Sequence, residues 1–304
     1  MKKLILLLFL FLYCQAPAAI VLDSTFIKTT DQVALFVKTI GEGQPILFIH
    51  GGPGSSCLYF EKGTAGKLQS LGQWYFVDQR GSGRSESATT NNYSLDRVAL
   101  DFEEVRIQLG IAKWTVVAHS FGGILATQYA VLYPNSIDRL VYLNATVSLP
   151  DSVNSLVNYM EEHFTDITAE DIQFMKDPQQ KLTERFGKAF GILQSKDLLY
   201  QTQFESRKSF ERDQQWMQSV KLNWDFAGKV FQHEEYLKSY ASQTKSISCK
   251  VLVISGQKDR VIGADHHSFI EAPETTVHLS EGSHGLYMER TLELFSVLNS
   301  FFKQ

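Results

Sequence analysis

Ser120 lies in Ala118-His119-Ser120-Phe121-Gly122-Gly123, directly after the apolar run Trp114-Thr115-Val116-Val117 and before a helix-like stretch. A short buried strand, a serine between small residues and then a helix together read as a nucleophile elbow. The turn is so tight that the positions two before and two after the serine must be small. Ala118 and Gly122 meet that need, with Ala118 standing where the pattern usually has glycine. Such a turn lifts the hydroxyl clear of the strand ends and places the next backbone N–H at a helix start.

Upstream, Pro45-Ile46-Leu47-Phe48-Ile49 reads as another buried strand that runs into His50-Gly51-Gly52-Pro53-Gly54. Consecutive glycines let a backbone turn its N–H groups toward a ligand without side-chain obstruction. An oxyanion hole needs donors of this kind, fixed where charge develops on a tetrahedral intermediate. The donors are assigned to the backbone N–H of Phe121 and of Gly52, with Gly51 the neighbouring possibility. A Gly/Pro turn without chemistry is the plainer alternative. His50 is expected to hold this loop in shape rather than to act as a base.

A base and its orienter should follow in the order Ser, Asp, His. Val251-Leu252-Val253-Ile254-Ser255-Gly256 reads as a strand, and Asp259 sits on the loop just past it. Thr276-Val277-His278-Leu279 is a further strand-like run, followed by Gly282-Ser283-His284-Gly285 and a final helix. Ser120, Asp259 and His284 would then project from one edge of one sheet, with His284 taking the Ser120 proton and Asp259 fixing its tautomer. The chain has eight histidines, so placement decides among them. His266-His267 reads as an exposed helix face and His278 points from a strand. Asp265, the rival to Asp259, falls inside the next helix instead of at the strand exit.

The rest of the chain alternates in the same way. Strands are expected at 25–29, 33–39, 45–50, 74–77, 114–117 and 139–143, with helices near 56–71, 95–109 and 124–133. Leu95, Val98, Ala99, Phe102, Val105 and Leu109 share one helical face. Strand–helix alternation implies a mostly parallel sheet covered on both faces. Near Pro150 it stops, and a helical, aromatic-rich stretch follows until strands resume at Lys250. The expected organisation is a leader over 1–18, a core over 19–149 and 246–304, and a helical cap over 150–245 above the catalytic edge. The cap's aromatics, from Phe164 to Phe231, would mostly pack its own core, with a few lining the substrate pocket.

His50-Gly51-Gly52-Pro53-Gly54, Asp78-Gln79-Arg80-Gly81-Ser82-Gly83-Arg84-Ser85 and His119-Ser120-Phe121-Gly122-Gly123 together resemble the proline iminopeptidase branch of the α/β-hydrolases. The resemblance covers about residues 30–145 well and 248–303 in outline. It implies an α/β-hydrolase fold with a helical cap, and a metal-free serine peptidase that removes an N-terminal residue, commonly proline. It also implies that cap glutamates hold the substrate's α-amino group. The segments that bear them in the family have no match here, and Glu161, Glu162, Glu205, Glu211, Glu234 and Glu235 are the available carboxylates. The Asp78–Ser85 stretch reads as loop-building beside a strand end, with Asp78 and Arg80 pairing and bonding nearby backbone.

A net charge of −4 with no basic run gives no reason to expect nucleic acid or an anionic membrane surface as a partner. No Cys/His cluster has metal-ligand spacing, and neither cofactor nor metal is expected. Lys2 and Lys3 precede the apolar run Leu4–Tyr13 and then Gln15-Ala16-Pro17-Ala18-Ala19, the pattern of a secretory signal peptide cleaved after Ala18 or Ala19. The run is too short for a comfortable span, which needs roughly 20 residues; an uncleaved anchor is the alternative. The expected location is therefore periplasmic or secreted, without stable membrane insertion after cleavage. Cleavage would leave Cys57 near the active edge and Cys249 at the opposite one, where no bridge is expected.

Three functions fit these residues. The first is an exported serine aminopeptidase releasing N-terminal proline or a small residue from peptides. The second is a carboxylesterase acting on small acyl esters with the same triad. The third is a non-catalytic ligand-binding protein on a hydrolase scaffold, for which three intact triad residues would serve no chemical purpose. A serine at the elbow excludes an aspartate-nucleophile hydrolase.

Overall fold

A computed structural model describes residues 23–304. The expected leader over 1–18 and its cleavage site lie outside the described residues. Eight strands make one sheet: β1 Asp23–Lys28, β2 Ala34–Ile40, β3 Pro45–Ile49, β4 Gln73–Val77, β5 Trp114–Ser120, β6 Ile137–Ala145, β7 Lys250–Gly256 and β8 Thr275–Ser280. Their order is β1-β2-β4-β3-β5-β6-β7-β8. β2 pairs antiparallel with β1 and β4, and every other pair is parallel.

The core helices are α1 Leu58–Leu68, α2 Leu95–Gln108 and α3 Gly122–Leu132. Between β6 and β7 run α4 Leu149–His163, α5 Ala169–Lys176, α6 Leu182–Ser195, α7 Leu199–Gln203, α8 Arg207–Gln218, α9 Asp225–Lys229 and α10 Ala241–Thr244. The chain closes with α11 Leu286–Glu289 and α12 Thr291–Phe302. Among the described residues, no helix is long and apolar enough to cross a membrane.

Side-chain alternation explains why the central strands read as unbroken apolar runs. Leu47 and Ile49 of β3 and Val116 of β5 enter one core with Val98, Phe102, Ile124 and Leu125 of α2 and α3. Ile46, Phe48 and Val117 point the other way, into a second core with Phe60 of α1 and Leu294 and Leu298 of α12. With both faces covered, every position of β5 is buried, its polar residues included. α4 joins the first core through Leu149, Val153, Leu156, Val157 and Met160, one stripe of a helix. The segment after β6 is thus rooted in the hydrophobic core and then rises above the sheet edge.

Between β7 and β8 the structure has only a 3-10 turn, His266–Phe269, with Asp265 at its start, where a helix was expected. The reading of His266 as exposed is also corrected. Its imidazole is buried, and Nε2 accepts from the Val147 backbone N–H at 2.9 Å. Burial holds its pKa down, to about 4. His278 lies on β8, where Nε2 meets Glu293 at 2.9 Å.

Candidate active site

Ser120 ends β5 with φ at +56°, a left-handed conformation that costs a non-glycine residue roughly 1–3 kcal/mol. The neighbouring glycines make that turn sterically possible. A Cβ on Gly122 would stand 2.6 Å from the Ile49 carbonyl oxygen, and one on Gly123 would stand 2.4 Å from that of Thr146. Gly51 is constrained by Ser120 itself, since a Cβ there would lie 2.5 Å from the Ser120 Cβ.

The three expected residues meet at the C-terminal edge of the sheet. His284 Nε2 is 3.0 Å from Ser120 Oγ, and His284 Nδ1 is 2.8 Å from Asp259 Oδ2. Asp259 Oδ1 accepts from the backbone N–H groups of Val261 and Ile262 at 2.9 and 3.1 Å. One carboxylate oxygen is therefore anchored to its own loop, and the other is free to orient the imidazole. All three residues are buried.

Gly52 also lines this pocket. The Gly51 N–H is already taken, donating to the Tyr59 hydroxyl at 3.0 Å. Gly52 N–H and Phe121 N–H have no acceptor among the described residues, which leaves these two amides for a ligand oxygen. His50 behaves as a loop support: Nδ1 donates to the Gly51 carbonyl at 2.9 Å and Nε2 accepts from the Gln79 N–H at 3.1 Å. Burial holds its pKa below the usual imidazole value.

Two supports escaped sequence reasoning. Asn144, at the end of β6, donates through Nδ2 to the Ser283 and His284 carbonyls at 2.7 and 3.1 Å. Its Oδ1 accepts from the Gly256 N–H at 2.7 Å, so one amide ties β7 to the His284 loop. His119 joins Tyr59 at 2.8 Å through Nδ1 and the His284 carbonyl at 3.2 Å through Nε2. No local pattern marks either residue as a support.

The pairing expected of Asp78 and Arg80 is corrected. Arg80 is fully buried and binds Asp101 at 2.6 and 2.7 Å and Asp31 at 2.8 and 3.0 Å. Asp78 instead receives Arg84 Nε at 2.7 Å and the Cys57 N–H at 2.7 Å. Burial opposes its charge, but Arg84 holds the Asp78 carboxyl below its ordinary range. The loop also carries the cap, since Gly83 and Asn223 exchange backbone hydrogen bonds and Phe226 N–H donates to the Gly81 carbonyl. His50, Cys57 and Asp78 place donor atoms within 4.8 Å of one another, yet each is committed to the bonds just described or, for the Cys57 thiol, to the Val77 carbonyl at 3.2 Å. The cluster is a hydrogen-bonded floor and does not fit a metal. Cys57 and Cys249 are both free thiols.

The pocket over Ser120 has a volume of about 150 Å³, small beside the roughly 300–1,000 Å³ of drug-sized sites. The cap supplies Phe190, Gln203, Phe204 and Asp213 to its wall, facing Tyr59, Val261 and Tyr287 of the core. Asp213 is the carboxylate in that wall, and no sequence signal singled it out. It accepts from the Tyr287 hydroxyl at 3.0 Å, and burial raises its pKa to about 6. The glutamates available in the sequence are elsewhere: Glu205 binds Arg290 and Lys258, Glu161 pairs with Lys176, and Glu235 accepts from the Leu95 N–H. None of the six lines the pocket.

Residues 44–291 match the alpha/beta hydrolase fold family, and the chain belongs to that family of hydrolases. Within it the chain is proline iminopeptidase-like. It is 39% identical over 117 residues to a proline iminopeptidase of Xylella fastidiosa, a match that spans only 36% of either chain. A Bacillus subtilis AB hydrolase superfamily protein is 25% identical over 286 residues, 91% of this chain and 98% of that one. The proline iminopeptidase-related protein of Thermus thermophilus shares the fold with a TM-score of 0.76 at 16% identity, over 92% of this chain and 96% of that one.

Proposed function

We propose that the chain is an exported serine aminopeptidase that releases N-terminal proline or another small residue from short peptides. The observation that carries this reading is Asp213, a buried carboxylate in the wall of a small pocket that also holds Ser120 and His284. An aminopeptidase must bind a cationic amine next to the scissile carbonyl, and a desolvated carboxylate is the group for that task. The small volume limits the acyl part to a compact residue, and the aromatic walls suit a pyrrolidine ring. Export rests on the leader-like sequence over 1–18.

The reaction is acyl transfer. Ser120 Oγ attacks the carbonyl carbon while His284 Nε2 takes its proton, and Asp259 steadies the imidazolium. The Phe121 and Gly52 N–H groups stabilise the oxyanion. On collapse His284 delivers the proton to the leaving nitrogen, the C–N bond breaks and an ester to Ser120 remains. Water, deprotonated by His284, then adds to that ester and the released acid departs with Ser120 reprotonated.

Apolar walls from Phe190, Phe204 and Val261 favour a second reading, a carboxylesterase for small acyl groups using the same steps. Release of an aryl amine from prolyl arylamide, measured beside hydrolysis of short aryl esters with Ser120→Ala as the blank, separates the two. Ser120-dependent amide cleavage supports the aminopeptidase; ester hydrolysis alone replaces it with the esterase. No turnover of either returns the scaffold to ligand binding.

A further inference from the structure

A second cleft, of about 410 Å³, adjoins the catalytic pocket, and Phe204 is a wall of both. Phe204 is held tightly there, since a Cβ on Gly285 would lie 2.3 Å from its ring. The cleft is also lined by Tyr159, Tyr200, Lys258, Arg260 and Ser283. Arg260 directly follows Asp259, and Ser283 directly precedes His284, so this cleft lies on the base's side of Ser120. In acyl transfer the base hands its proton to the leaving atom, and the leaving group must therefore stand on that side.

The charges in and around the cleft are mostly spent. Glu205 binds Lys258 at 3.0 Å and Arg290 at 2.9 and 3.0 Å, and Arg207 pairs with Asp197 at 2.8 Å. Glu289 accepts from the Glu205 and Ser206 N–H groups and from Ser283 Oγ. Arg260 differs. Among the described residues its guanidinium has no carboxylate partner, and it rests over the Tyr159 ring at 5.2 Å. A half-buried planar guanidinium backed by an aromatic face is built to take a carboxylate through two parallel hydrogen bonds.

We propose that this cleft is the leaving-group subsite and that Arg260 binds a carboxylate carried there. Taken with the aminopeptidase reading, on which its peptide form rests, this makes the preferred substrates dipeptides and tripeptides with a free C-terminal carboxylate. Longer chains and C-terminal amides place no carboxylate within reach of Arg260.

The test is a ratio of kcat/KM values for matched substrates, acid over amide. One series is prolyl dipeptides and tripeptides with free or amidated C-termini. The other is short acyl esters of 3-hydroxybenzoate and of 3-hydroxybenzamide. Both members of a pair see the same concentration of folded enzyme, so the ratio survives partial unfolding of a variant. Wild type is expected to favour the acid about 10-fold or more, the scale of one charge-assisted pair. In Arg260→Gln the ratio should fall to near 1, with partial recovery in Arg260→Lys. A wild-type ratio near 1, or a preference that persists in Arg260→Gln, overturns the subsite. Peptides cleaved without preference leave the aminopeptidase standing and remove the subsite. An Arg260-dependent preference among esters alone does the reverse, and no turnover in either series removes both.

Discussion

His119 lies one residue before Ser120, yet its Nε2 reaches the backbone carbonyl of His284, 3.2 Å away. Its protonation follows from its neighbours. Gly51 N–H donates to the Tyr59 oxygen, so the Tyr59 proton is free to point at His119 Nδ1. Burial holds the His119 pKa well below the usual imidazole value, so the ring is neutral with its one proton on Nε2. A single chain of donors therefore runs from the glycine loop through Tyr59 and His119 to the loop of His284. It links the Gly51 backbone to that of His284 through hydrogen bonds.

Replacing His119 with Phe removes the donor and leaves the aromatic volume. Expected is a 10- to 100-fold loss in kcat with KM little changed, because sub-ångström misplacement of a base has costs of that order. Steady-state kinetics on an aryl ester would check it, and a kcat within twofold of wild type would show that the chain of donors does not position His284.

Ser120→Ala is expected to reduce turnover by at least about 10⁴-fold, since triad members act as a unit. The fold should persist, as the serine hydroxyl's one bond among the described residues is to His284. Ser120→Gly should in addition raise stability by about 1 kcal/mol, because glycine accepts the +56° φ without strain. Urea denaturation of the two variants reads the difference; an alanine variant as stable as the glycine one would remove strain from the account.

Asp213 supplies a pH signature. Its carboxyl is raised from 3.8 to about 6, chiefly by burial. Between about pH 4 and 6 the native state holds more protons than the unfolded chain, so stability falls as pH rises through that window. The full penalty, about 3 kcal/mol from the size of the shift, is present above pH 6. Asp213→Asn should therefore be the more stable protein at pH 8 and no more stable than wild type at pH 4. It should also lose affinity for amine-bearing substrates above pH 6 while retaining ester hydrolysis. Denaturant midpoints and KM values across pH 4–8 test both; a midpoint difference that does not change with pH would contradict the assignment.

Arg80 is a structural cation. Arg80→Met strands Asp31 and Asp101, and the expected cost is about 3–5 kcal/mol. Chemical denaturation measures it. A loss below 1 kcal/mol would mean that the acids find other partners, with Arg97, already 2.8 Å from Asp101, the nearest.

Sequence alone placed the strands and the loops that follow them, because an apolar run ending in Gly, Ser or Asp is a local signal. Ser120, Asp259 and His284 were legible for that reason: each needs only to stand just past the end of a parallel strand, and strand ends can be read within a few residues. The glycines at 51, 52 and 122 were legible too, as backbone that must turn tightly or face a ligand; the close pass of Gly123 by the Thr146 carbonyl appeared only in the fold. Which partners meet across the fold was decided by the tertiary structure. Arg80 found Asp31 and Asp101 where the sequence suggested Asp78, and His266 turned inward to Val147. Asp213 reaches the pocket because α8 folds back over the sheet edge to meet Tyr287, 74 residues further along the chain. Burial then sets its pKa. Hydrophobic periodicity specifies what faces inward, but the partner of a buried polar group depends on how distant elements pack, and no local pattern encodes that.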